Sequence, residues 1–220
     1  MENTRHYDNE MLFLRAEVSK MLSLVLESFE LAVKSLEDVD TFIADKVIAG
    51  DDAIDDLNRQ IEETVYMIVA RYSPQSKDLR YAMTMVKFAN NLERIADLSC
   101  NIAEMTKDIY EKNIKINLIK DIKRMFGICL QMIKDTYEAF GGKNIKLAIE
   151  VWRRDNDIDN LEKIVNSSVI DGICNEQFDK RLAILYILLA RDLERIADHS
   201  TNLCEEIIYI ETGKDIDEFI

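Results

Sequence analysis

Proline and glycine are nearly missing from this chain. Its 220 residues include one proline, Pro74, and six glycines, so little interrupts long helices. Histidine is just as scarce, with only His6 and His199. The four cysteines, Cys100, Cys129, Cys174 and Cys204, form no C-x-x-C pair, which excludes zinc-finger spacing. They are expected to be reduced thiols packed as small apolar groups, a usage that fits the cytosol. There is no glycine-rich phosphate loop and no nucleophile elbow. The strongest apolar run, Leu182 to Ala190, is too short for a bilayer, which takes about 20 residues. Residues Met1 to Glu10 are polar, so no signal peptide is expected and the chain is read as cytoplasmic. Positive charge is also in deficit: 28 Lys and Arg stand against 42 Asp and Glu, a net charge of -14. Such a surface repels nucleic acid and anionic lipid. No nucleic-acid partner is therefore expected, and membrane contact only through another protein.

What is present is helical periodicity. Ile43, Val47, Gly50, Ile54, Leu57, Ile61, Val65 and Ile68 recur at steps of three and four, one stripe on a long helix. Phe88, Leu92, Ile95, Ile102 and Ile109 make another. Helices are predicted at roughly 8–38, 40–72, 76–112, 115–140, 144–175 and 178–212. Breaks fall at Ser73-Pro74, near Asn113 and at Gly141-Gly142. Helices of this length are stabilised mainly by packing an apolar face, so an all-α fold of antiparallel bundles is expected.

The chain also repeats itself. Asn91-Leu-Glu-Arg-Ile-Ala-Asp-Leu-Ser-Cys-Asn-Ile-Ala-Glu104 matches Asp192-Leu-Glu-Arg-Ile-Ala-Asp-His-Ser-Thr-Asn-Leu-Cys-Glu205 at nine of fourteen positions, 101 residues apart. Gly50 to Leu57 matches Arg154 to Leu161 at an offset of 104. The same offset pairs Leu26 with Leu130, Phe29 with Ile133 and Leu36 with Phe140. Two tandem antiparallel three-helix units are therefore expected, residues 1–112 and 113–220.

Each half carries two acidic pairs at i, i+4: Asp51 with Asp55 and Glu93 with Asp97, then Asp155 with Asp159 and Glu194 with Asp198. That spacing sets both carboxylates on one helix face, about 6 Å apart, where like charges destabilise. Each pair borders an apolar stripe. If the second and third helices of a unit are neighbours, four oxygen ligands can converge, and a hard or borderline cation would relieve their repulsion. Asn101 and Glu104, and Asn202 and Glu205, extend the rows. His199 and Asp192 are secondary metal candidates with Asn101 and Asn202. The competing reading is a solvated acidic face neutralised by Arg94 and Arg195. Trp152 is either an interface residue or part of the core.

The doubled segment, with Ile54 to Leu57 and Ile158 to Leu161, resembles the PhoU family over roughly residues 5–213. The second copy matches the family signature including His199, whereas the first has Leu98 at that position. The resemblance implies two three-helix bundles related by a pseudo-two-fold axis. It also implies bound metal, iron or zinc foremost with magnesium or manganese as possibilities, at Asp51, Asp55, Glu93, Asp97, Asp155, Asp159, Glu194 and Asp198. It further implies dimers or larger oligomers, and negative regulation of phosphate uptake and of the phosphate regulon. In that role the protein is an adaptor, not an enzyme, between the ATPase subunit of the phosphate ABC transporter and the phosphate-sensing histidine kinase. Two other readings stand beside it: a metal-free helical adaptor, and a carboxylate di-metal oxidase, which the scarcity of histidine disfavours.

Overall fold

A computed structural model describes residues 2–175 and 179–220. Its elements are α1 (Glu2–Asp38), α2 (Thr41–Tyr72), α3 (Ser76–Glu111), α4 (Lys120–Gly142), α5 (Ile145–Arg153), α6 (Asp155–Cys174), α7 (Lys180–Thr212) and a closing 3-10 turn, Ile216–Glu218. No strand occurs among the described residues, and the fold is the expected all-α one. No helix among them is long and apolar enough to cross a membrane.

The first unit packs α1, α2 and α3 around Leu22, Phe29, Ile61, Phe88 and Leu92, all fully buried. In the second, α4 and α7 enclose a core with α5 and α6, which together take the place of α2. The register of the repeat is kept in burial. Ala44, Val47, Ile54, Leu57, Ile61 and Val65 are buried, and so are their mates at an offset of 104: Ala148, Val151, Ile158, Leu161, Val165 and Val169. Even the helix starts repeat. Asp40 Oδ1 accepts from the Phe42 and Ile43 N–H groups at 2.9 and 3.2 Å, and Asn144 Oδ1 accepts from Leu147 N–H at 3.2 Å.

Three expectations need correction. The helix predicted over 144–175 breaks at Arg154. There the ladder tightens to i−3 bonds, Arg154 N–H to Val151 O at 3.0 Å and Asp157 N–H to Arg154 O at 3.0 Å. The cause is tertiary: the Arg154 guanidinium pairs with the buried Asp135 carboxylate of α4. The helix predicted from 115 begins at Lys120, because Ile114, Ile116 and Leu118 alternate inward as a non-helical connector. Lastly, Gly141 and Gly142 remain helical, and Lys143 takes the left-handed cap (φ 53°). For the last long helix, the predicted start at 178 lies outside the described residues.

The units meet through α3 and α7, which run antiparallel. Arg80 Nη2 donates to Ile210 O at 3.3 Å, Lys87 pairs with Glu206 at 3.5 Å, and Asn91 Oδ1 lies 3.0 Å from His199 Nδ1. Since Asn91 Oδ1 also accepts from Asn202 at 3.4 Å, it acts as acceptor and the His199 proton sits on Nδ1. One helix of each acid-bearing pair, α3 from the first unit and α7 from the second, therefore lies in the seam between the halves.

Candidate acidic centres on paired helices

In the first unit Asp51 and Asp55 project from α2 on the flank facing α3, and Glu93 and Asp97 project from α3 to meet them. Their charges are close enough to act on one another. Burial, then the charge of Asp55, raises the Asp51 carboxyl, with Asp97 adding to the shift and a hydrogen bond from Cys100 opposing it. Burial likewise raises Glu93, followed by the charge of Asp97. Arg94 counters them. It lies 3.4 Å from Glu93 and 2.9 Å from Asp97. This half is therefore partly self-neutralised.

The second unit repeats the arrangement on α6 and α7 without that compensation. Asp155 is pushed up to about 6, first by burial and then by Asp198, Asp159 and Glu205. Glu194 is pushed up to about 7, by burial and then by Asp198, Glu162, Asp159 and Asp155. Asp198 is raised by burial and by Asp159, while Arg195 and a hydrogen bond from Glu194 pull it down. Arg195 closes no ion pair within 4 Å among the described residues. Asp155 Oδ1 is buried with no hydrogen-bond partner among the described residues.

The eight acids thus fall into two sets of four whose members act electrostatically on one another. Two further acids strengthen the second group. Glu205 extends the polar row, and Glu162, outside the expected set, continues the spacing of Asp155 and Asp159 along α6. The first-unit counterpart of Glu162 is Asn58, which donates to Asn90 at 3.2 Å. The secondary candidates divide. Asn101 and Asn202 are exposed on α3 and α7. Asp192 is 9% exposed at the α3–α7 seam, pushed up to about 6 by burial against the opposing pull of Arg195 and Arg191. His199, a secondary metal candidate, instead bonds Asn91 across the seam. Burial, then Arg195 and Arg94, lowers its pKa and keeps the ring neutral. Trp152 is half-buried and donates its indole N–H to Glu205 at 2.9 Å.

Among the described residues, no group of three or more His, Cys, Asp or Glu side chains stands as a ready-made metal centre. The donors in each cluster are nonetheless all hard oxygens, and the orphaned Asp155 Oδ1 together with a Glu194 that holds a proton near neutral pH marks uncompensated acidity. The donor chemistry of such a set is that of a hard cation's ligands.

The chain was compared with known proteins. A model of the PhoU domain matches residues 18–106 and again 122–207. The chain belongs to the PhoU family. Phosphate-specific transport system accessory protein PhoU homolog 1 of Thermotoga maritima is 48% identical over 215 residues, covering 98% of this chain and 93% of that protein. The PhoU homolog of Clostridium acetobutylicum is 32% identical, with 96% of both chains covered. The crystal structure of PhoU from Pseudomonas aeruginosa superposes with a TM-score of 0.90 at 26% identity, covering 94% of this chain and all of that one. The phosphate transport system regulatory protein PhoU from Streptococcus pneumoniae gives 0.86 at 28% identity, covering 96% and 99%.

Proposed function

We propose that this PhoU-family chain is a cytoplasmic negative regulator of phosphate uptake and of the phosphate regulon. Its near full-length likeness to proteins named as accessories of phosphate-specific transport carries the reading. In this role it links the ATPase subunit of the phosphate ABC transporter to the phosphate-sensing histidine kinase. Residues 1–112 and 113–220 serve as its two units, and it assembles as a homodimer or larger oligomer. Phosphate status changes which complex is populated, and this requires different affinities in the two states.

On this reading the acidic centres hold cations, iron or zinc foremost, magnesium or manganese otherwise. Asp155, Asp159, Glu194 and Asp198 form the stronger set, and Asp51, Asp55, Glu93 and Asp97 the weaker. A bound cation supplies the positive charge that the clustered carboxylates lack. The residues that would hold it lie on the α6–α7 and α2–α3 faces beside the seam between halves. Elemental analysis of protein purified without chelator tests this, beside a variant with Glu93, Asp97, Glu194 and Asp198 changed to alanine. Stoichiometric metal in the parent, its loss in the variant, and raised phosphate-starvation transcripts in cells carrying the variant are the expected results.

A second reading is favoured by the ion pairs of Arg94 with Glu93 and Asp97: a metal-free helical adaptor whose acidic rows only dock partners. Metal-free protein that co-purifies with the transporter ATPase subunit as well as the parent does would establish it.

A further inference from the structure

The internal duplication offers a comparison that the acidic centres do not use. In the second unit, the groove between α4 and the α5–α6 junction is filled from within by Arg154. Its side chain is 30% exposed and its guanidinium pairs with Asp135, whose other carboxylate oxygen accepts from Gln131 at 2.7 Å. At an offset of 104, Arg154 corresponds to Gly50, Asp135 to Leu31 and Gln131 to Glu27. In the first unit the equivalent groove lies open between α1 and α2, enclosing about 250 Å³. Leu24, Leu31, Val47 and Ile54 wall it, Gly50 leaves its floor bare and Glu27 stands on its rim. A Cβ on Gly50 would meet nothing within 4 Å. A mid-helix glycine costs about 1 kcal/mol against a good helix former, and no turn or positive φ calls for one here.

We propose that this groove is a docking pocket for one arginine side chain presented by a partner protein. The apolar walls suit the methylene stem, and Glu27 suits the guanidinium. The acid has also moved. In the second unit the bonded carboxylate is buried on α4, where it meets a head that arrives from the chain's own backbone. In the first unit the carboxylate is Glu27, exposed one turn earlier, where it meets a head that arrives from solvent. Lys46 shares the rim, but its ammonium lies 4.5 Å from the Phe42 ring centroid, held by that ring. A net charge of -14 favours a basic partner over a second copy of this acidic chain. The proposal concerns a surface separate from the acidic centres, on the opposite flank of α2, and needs no assumption about metal or phosphate.

The test titrates the full-length protein with a capped pentapeptide of alanines around a central arginine, beside its citrulline analogue. The readout is the methyl NMR shifts of Leu24, Leu31, Val47 and Ile54. Saturable shifts are expected with the arginine peptide and about tenfold weaker binding with citrulline, which keeps the shape and loses the charge. Glu27→Gln should weaken the arginine peptide by a similar factor. Gly50→Arg should fill the groove and abolish binding while melting no lower than the parent. If Gly50→Arg fails to fold, Glu27→Gln still decides. Absence of saturable shifts in the parent, equal binding of citrulline, or retained binding in a folded Gly50→Arg would overturn the proposal. So would a parent oligomer that Gly50→Arg disperses, which would assign the groove to a second copy.

Discussion

Glu194→Gln should make this protein more stable at pH 8 and leave it unchanged at pH 5. Glu194 is pushed from 4.5 up to about 7 in the folded chain, burial acting first and the charge of Asp198 next. A carboxyl raised on folding binds its proton more tightly in the folded state. Stability from that proton is complete below about pH 4.5 and is lost as pH climbs to about 7. Above that, folding must hold an ionised Glu194 among Asp155, Asp159, Glu162 and Asp198. At ~1.4 kcal/mol per pKa unit the unscreened cost is ~3.5 kcal/mol. Glu194 is only part-buried, and the water that still reaches it screens the cost to about 1 kcal/mol. Glutamine keeps the shape and can still donate to Asp198, but it never ionises. The variant should then gain about 1 kcal/mol at pH 8, a rise of roughly 2–4 °C in Tm for a chain this size. The assay is urea denaturation followed by circular dichroism at both pH values in chelator-treated buffer. Loss of stability at pH 8, or the same gain at pH 5, would refute the account of the second centre as uncompensated charge.

Gly213→Ala should destabilise by about 1–3 kcal/mol. Gly213 sits at φ 75°, and an added Cβ would lie 2.7 Å from Nη1 of Arg80, whose Nη2 donates to Ile210 O in the last turn of α7. Arg154→Ala should cost about 3 kcal/mol by leaving Asp135 buried and unpaired, whereas Arg154→Gly combined with Asp135→Leu, copying Gly50 and Leu31, should recover most of the Asp135 part. Both are read by urea denaturation; equal loss in the single Arg154 variant and the double variant would mean that the pair contributes only packing.

The repeat and the acidic rows were legible because both follow helical spacing, which burial then enforces. Every third or fourth apolar position of α2 is buried, and each pair of acids flanks that stripe. Contacts between residues distant in sequence were less visible. Arginine is a good helix former, so nothing local in Trp152-Arg153-Arg154-Asp155 announces a break. The break exists because Asp135, 19 residues earlier, pulls the guanidinium inward. His199 carried a signature but no partner, since Asn91 lies 108 residues away on the other unit. The connector before α4 did leave a trace: Ile114, Ile116 and Leu118 alternate with period two, a pattern that a search for helices passes over.

Duplication begins with two equal units, so differences at matched positions show where their roles have parted. The core positions stayed alike, because losing a buried methyl or methylene group costs stability in either half. Divergence lies at the flanks. Arg154 closes a groove that Gly50 leaves open, and Glu162 and Glu205 enlarge an acidic set that Arg94 tempers in the other unit. His199 and Asn91 join the units across a seam where their mates, Leu98 and Asp192, are both buried. On the proposed reading, the second unit spends stability on a cation-seeking centre and seals its groove, while the first neutralises its acids and keeps its groove for a partner. The α3–α7 seam carries one helix from each centre, so a change in charge at either reaches the contact that sets the two units against each other. Linkage between a cation in the second unit and a partner in the first has a direct route through Asn91 and His199, and changing Asn91 to leucine should weaken that linkage, read by titrating each ligand with and without the other, while leaving each site's own affinity intact.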